Sequence, residues 1–304
     1  MAFDTLTRLG ASGASTGYEI ERSIRFVEAD STALKRTPDN DGDRQQWTFS
    51  FWFKKWKDNI TSEADTLFAA KITGANNDSL YIHHSNEKIY FKQEISNNIK
   101  TINGTTRLRD PTGWYHIVVA HDTTQATAAN RVKVWINGKQ ETMSGSFPNQ
   151  NSNGNFNRDI PHYIAATKSS SNANPLGEIN AYIADFHFID GTVLDYTSFA
   201  ETDSETGVYK PIEYTGSYGT NGFHLNFSDN SDVTASTLGA DSSGNGNNFT
   251  PVNLSVSSGV GCDSVTDTPT NNFCTLNSVE NGYGTETFKQ GNLEMSASNA
   301  WVPA

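Results

Sequence analysis

The chain has 304 residues, a net charge of −12, and 35% hydrophobic against 18% charged residues; both fractions fall below the usual globular values of about 45–50% and 25%. Asn, Ser, Thr, Gly and Asp fill the gap, so long loops between short strands are expected, while aromatics at 11%, clustered in alternating runs, exclude wholesale disorder. The acidity argues against a nucleic-acid partner, and no run approaches the ~20 apolar residues of a membrane span, so no membrane insertion is expected.

Residues 1–22 are small and polar and read as an extended N-terminal arm or anchor. The first strand signal is 23–27, and the strongest is 47–53. There Trp47, Phe49, Phe51 and Phe53 share one face, which should be core, and Thr48, Ser50 and Trp52 share the other. Further strands are expected at 67–70, 80–83, 88–93, 99–103, 114–120 and 132–136. Asn137-Gly138 then predicts a tight type I′ turn, with a returning strand at 139–143. Strands at 162–166, 179–189 and 223–227 complete the set, separated by polar loops at 144–159 and 168–175. Residues 251–304 read as a linker and the start of a further β element, and no capped 3.6-residue pattern is found. The fold class is therefore all-β, a two-sheet antiparallel β-sandwich over residues 23–250.

Several strings carry a resemblance. Gly113–Val119, Val132–Lys139 and Gly177–Gly191 are similar to strands of concanavalin A-like (laminin G-like) domains. Three others, at 17–26, 214–250 (YTGSYGTNGFHLNFSDNSD and LGADSSGNGNNFT) and 263–272, resemble virion appendage proteins of tailed phages, especially marine ones. The resemblance implies a jelly-roll-like sandwich and a structural virion protein, a tail fibre or capsid decoration. Its expected partners are other virion proteins and sister subunits in a homo-oligomer, by analogy with fibres a trimer. In similar phage proteins a SPRY-like domain often follows the last string, so a shortened relative or a piece of a longer polypeptide is expected.

Candidate chemistry is sparse. Sandwiches of this class include glycosidases with an ExDxE strand, and Glu201-Thr202-Asp203-Ser204-Glu205 matches the letters; Thr, Ser and Gly207 around the acids suit a surface loop, and no enzyme is expected. Asp39, Asp41 and Asp43 concentrate hard oxygen ligands of the kind Ca²⁺ takes, without the Gly spacing or distal Glu of an EF-hand. Trp52, Trp56 and Trp135 fall on outer strand faces, where they would stack on sugars, such as a host cell-surface polysaccharide, or bury against a sister subunit. His83 and His84 should face opposite ways, and Cys262 and Cys274 fit free thiols. The functional readings are a non-enzymatic virion protein, a glycan-recognition module, or, resting on the acidic triplet alone, a polysaccharide-degrading enzyme.

Overall fold

The computed structural model describes residues 17–56, 64–72, 77–168, 175–177, 179–259, 261–274, 276, 285–289, 291–292 and 294–298. Its strands, in chain order, are β1 (Ser23–Phe26), β2 (Ala33–Arg36), β3 (Gln46–Lys55), β4 (Ala64–Lys71), β5 (Asn77–His83), β6 (Lys88–Ile95), β7 (Asn98–Arg107), β8 (Tyr115–Asp122), β9 (Val132–Ile136), β10 (Lys139–Gln140), β11 (Ser144–Gly145) and β12 (His162–Ile164). There follow β13 (Ala166–Lys168), β14 (Pro175–Gly177), β15 (Ala181–Asp190), β16 (Ala200–Thr202), β17 (Tyr209–Pro211), β18 (Phe223–Leu225), β19 (Thr250–Val252), β20 (Ser264–Val265), β21 (Thr285–Lys289) and β22 (Glu294–Ser298).

Two eight-stranded antiparallel sheets form the sandwich. The first runs β10-β9-β8-β3-β15-β1-β20, with β18 also on β15, and the second β11-β7-β6-β5-β4-β12-β2-β19. Between them lies an aromatic core, because alternation sends every second residue of each strand inward. Trp47, Phe49, Phe51 and Phe53 are fully buried there, as their shared face predicts. They meet Phe186 and Phe188 of β15; Phe51 stacks on Phe186 at 4.9 Å. The 144–159 loop is irregular as expected, yet it drives Phe156 into the core, 4.7 Å from the Phe68 ring.

Asn137 and Gly138 take φ of 49° and 75°, the turn their sequence predicts. The returning strand stops at Gln140 instead of 143. Glu141 still donates its N–H to the Val134 carbonyl at 2.8 Å, and its carboxylate accepts the N–H groups of Thr105 and Thr106 on β7. Strand β2 had no clear signal, since Ala-Leu-Lys-Arg carries only two apolar residues.

Strand β15 is the hinge of the design. Its 181–183 stretch pairs with β1 and its 186–188 stretch with β18 on the same edge. Between them lies a β-bulge, where the register against β3 shifts between Ala184 and His187 and Asp185 takes φ of 51°. The extra residue keeps Phe186 and Phe188 in the core while Ala184, Asp185 and His187 all face outward.

That outward face of the first sheet is covered. Leu194, Tyr196, Phe199, Tyr214 and Tyr218 pack over Val118, Ala120, Trp135 and Ile189. Tyr18 and Ile20 pack over Trp52 and Ala184. The 263–273 segment supplies partners to polar groups beneath it: Arg25 pairs with Asp263 at 2.9 Å, and Lys54 with Asp267 at 2.9 Å. Most of the expected 168–175 loop and residues 1–16 of the expected arm lie outside the described residues.

Candidate functional site

The covering layer decides the fate of the three tryptophans. Trp52 is 4% exposed, Trp56 2% and Trp135 7%, so the expectation of an open aromatic face is corrected. Trp52 stacks on His116 at 4.7 Å with Tyr209 beside it. Trp135 lies beneath Phe199, and the carbonyl of Trp56 accepts the Asn292 side-chain amide at 2.6 Å. Trp52 and Trp135 do lie on the outer face, as alternation predicts, but alternation carries no sign of the second layer over them.

Glu201, Asp203 and Glu205 do not share a strand face, because β16 ends at Thr202 and Asp203 opens the turn to β17. Asp203 Oδ1 accepts the backbone N–H of Glu205 and Thr206. Lys210 reaches Asp203 at 2.7 Å and Glu201 at 3.4 Å, and its hydrogen bond holds the Asp203 carboxyl far below the usual range. Glu201 and Glu205 are exposed.

Asp39, Asp41 and Asp43 are exposed and do not converge. Asp43 Oδ1 caps the N–H groups of Gln45 and Gln46, while Asp41 accepts the N–H of Asp159 and pairs with Arg44. Asp39 lines a polar groove with Lys35, Arg36, Thr37, Gly246, Asn247, Asn248 and Thr250. His83 and His84 part as expected, one toward Ser85 and the other toward Asp65.

Among the described residues, the set of metal-ligating groups that does converge is Asp185, His187 and His224, whose ligand atoms lie within 4.8 Å of one another. Asp185 and His187 come from the bulged strand β15, and His224 sits directly across from His187 on β18. His224 Nε2 is 2.7 Å from Asp185 Oδ1, and His187 Nε2 is 3.1 Å from Oδ2. The Tyr18 hydroxyl donates to Oδ1 at 2.8 Å. The two imidazoles stack at 4.0 Å. Their other nitrogens meet hydroxyls, His187 Nδ1 that of Tyr218 at 2.8 Å and His224 Nδ1 that of Ser242 at 2.9 Å.

The family model described as the concanavalin A-like lectin/glucanases superfamily matches residues 29–194. The chain belongs to that superfamily. Solved structures similar to this superfamily member include a heptameric SAP-like pentraxin from Limulus polyphemus, 13% identical over 64% of this chain and 94% of that one, TM-score 0.45. Mouse laminin alpha1 domains LG4-5 are 11% identical over 68% of this chain and 48% of that one, TM-score 0.41. The Ruminococcus gnavus IT-sialidase CBM40 is 14% identical over 60% and 92%, TM-score 0.34. No curated protein matches the chain at a significant level.

In this concanavalin A-like chain the His–Asp cluster lies just past the centre of the sheet. Burial would push the Asp185 carboxyl up, but His187 and His224 beside it hold it well below the usual range. Burial and the neighbouring His224 pull His187 down, against the opposing pull of Asp185. Burial and Asp185 push the Tyr18 and Tyr218 phenols far up, which keeps both as hydroxyl donors. Sequence reading missed this cluster. Its signal was alternation: Phe186 and Phe188 bracket His187 as Phe223 and Leu225 bracket His224, so both imidazoles point away from the core. Bringing them together needs the pairing of β15 with β18, which no local pattern states.

Proposed function

We propose that the chain is a structural, non-enzymatic component of a tailed-phage virion, an appendage such as a fibre or a capsid decoration. The observation that carries this reading is where the three phage-like strings lie. They are separated by up to about 240 residues in sequence, yet β1 pairs with both β15 and β20, and β18 pairs with β15. Ser23 Oγ donates to the Asp267 carbonyl, and the Ile20 N–H to Thr270 Oγ1. The strings that set this chain apart from a bare sandwich are thus one physical unit, which chance similarity at three places gives no reason to expect. Phe273, Leu276 and Met295 are 47%, 42% and 52% exposed and offer apolar surface to a sister subunit or to the particle. A homo-oligomer, for a fibre a trimer, is part of this reading; that surface and the symmetry usual in such parts support it. The test is mass spectrometry and immunogold labelling of gradient-banded particles from the producing culture. The chain should co-band with particles in stoichiometric amount and decorate tails or heads; recovery wholly outside the particle overturns the reading.

A second reading, recognition of host-surface polysaccharide, is favoured by the groove between 35–39 and 246–250. Its cations, acid and amides suit sugar hydroxyls, and the lectin-type fold is compatible with it, though fold does not confer function. A glycan array should give hits that Lys35→Ala and Asp39→Ala abolish. Binding untouched by both substitutions places recognition elsewhere.

A further inference from the structure

We propose that Asp185, His187 and His224 form a site for one zinc-class divalent cation, which staples the arm and the 214–250 block onto the first sheet. Two imidazoles and a carboxylate converge within 4.8 Å. Nitrogen-rich sets of this kind suit Zn²⁺, Co²⁺ or Ni²⁺, whereas Ca²⁺ takes oxygens. The outer contacts match those around metal-bound histidines, whose second ring nitrogen is held by a polar partner. Here Tyr218 and Ser242 hold Nδ1 of the two rings at 2.8 and 2.9 Å, which leaves Nε2 of His187 and of His224 on the Asp185 side, 3.1 and 2.7 Å from its carboxylate. Asp185 is offered by a bulge at φ 51°, a left-handed conformation of the kind that gathers at functional positions. Tyr18 adds an oxygen 2.8 Å from the same carboxylate.

Access exists, because Ser242 is exposed and the His224 side chain is 14% exposed. The rings stack at 4.0 Å, so ligation requires each to swing until the Nε2 lone pairs meet at the ion. The proton count is conserved. With one proton on each ring, that proton sits on Nδ1 once Nε2 ligates, and the Tyr218 and Ser242 hydroxyls then accept its hydrogen bond.

The experiment titrates the metal-stripped full chain with Co²⁺, reading its visible ligand-field absorption, and with Zn²⁺ by calorimetry. One equivalent should bind saturably. His224→Asn should abolish saturable binding, and Tyr218→Phe should weaken it by about 10–100-fold. Should His224→Asn fail to fold by circular dichroism, Ser242→Ala at the exposed rim serves in its place and should weaken binding by a similar factor. Absence of saturable uptake by the folded wild type, or uptake unchanged in the folded variants, overturns the site.

Discussion

Asp78 is a carboxylate sealed inside a shell of donors. Its Oδ2 accepts the Asn155 N–H at 2.5 Å, and its Oδ1 accepts the Asn155 side-chain amide at 2.9 Å and the Glu94 N–H at 3.2 Å. These bonds tie the 144–159 loop, and so Phe156, to β5. Burial outweighs them and pushes the acid up to about 6. Its folded value therefore exceeds the unfolded value of about 3.9, and the folded state holds the extra proton between them. This one group thus adds stability as pH falls from about 6 to 4, by up to ~3 kcal/mol. Asp78→Asn keeps the shape but sets an NH₂ against N–H donors whichever way the amide turns. It should cost about 1–3 kcal/mol at pH 7 in urea unfolding; a variant as stable as wild type contradicts this account.

Among the elements, the 263–273 segment of the covering layer is tied down by the buried ion pairs of Arg25 with Asp263 and Lys54 with Asp267. Arg25 and Asp263 have side-chain exposures of 2% and 7%, and Asp263 also accepts the Ser255 N–H at 2.8 Å. Removing one member of such a pair costs about 3–5 kcal/mol, whereas replacing both by apolar groups is often neutral. Arg25→Met should therefore destabilise by about 3–5 kcal/mol, and Arg25→Met with Asp263→Leu should recover most of it. Equal losses in the single and double variants would mean that shape, not charge, holds the segment. The strands of the core were legible in the sequence, because Trp47 to Phe53 and Ala181 to Asp190 alternate against strong apolar contrast. The covering layer was not. Its segments, such as 192–199 and 263–273, have no period of their own and take their conformation from the surface they cover. For the same reason strand alternation alone leaves Trp52, Trp56 and Trp135 open and does not join Asp185, His187 and His224 into a set.

Across the whole molecule, buried histidines shape the response to acid, and His116, His121 and His162 join His187 in being pulled down by burial. His162 donates from Nδ1 to the Ile160 carbonyl and accepts the Asn157 N–H at Nε2, so a second proton would break a bond. His121 sits beside the Gln45 carbonyl and Gln93, and His116 between Ser50 and Tyr209. Burial pulls His116 down to about 3 and His121 and His162 to about 4. The unfolded chain protonates them near pH 6.5. It then binds more protons than the folded one, and stability is lost as pH falls from about 6.5 to 4. Three imidazoles outweigh the opposing Asp78. The midpoint of thermal unfolding should drop by roughly 10 °C or more between pH 7 and 4.5; a flat profile would show that these rings take up protons while folded.

The pairing of β1 with β20 also sets a timetable. Ile24 finds Ser264 only after some 240 residues have been made, roughly 10–50 s at ribosomal rates of about 5–20 residues per second. Strands β1 to β19 carry the aromatic interior, down to Phe249, and can close it before then. Arg25, Lys54 and Tyr182 must wait, wetted, for the 263–273 segment and Gly291. The nascent chain thus has a finished interior while one flank is still bare, and that flank is where a chaperone or a neighbouring copy would first take hold.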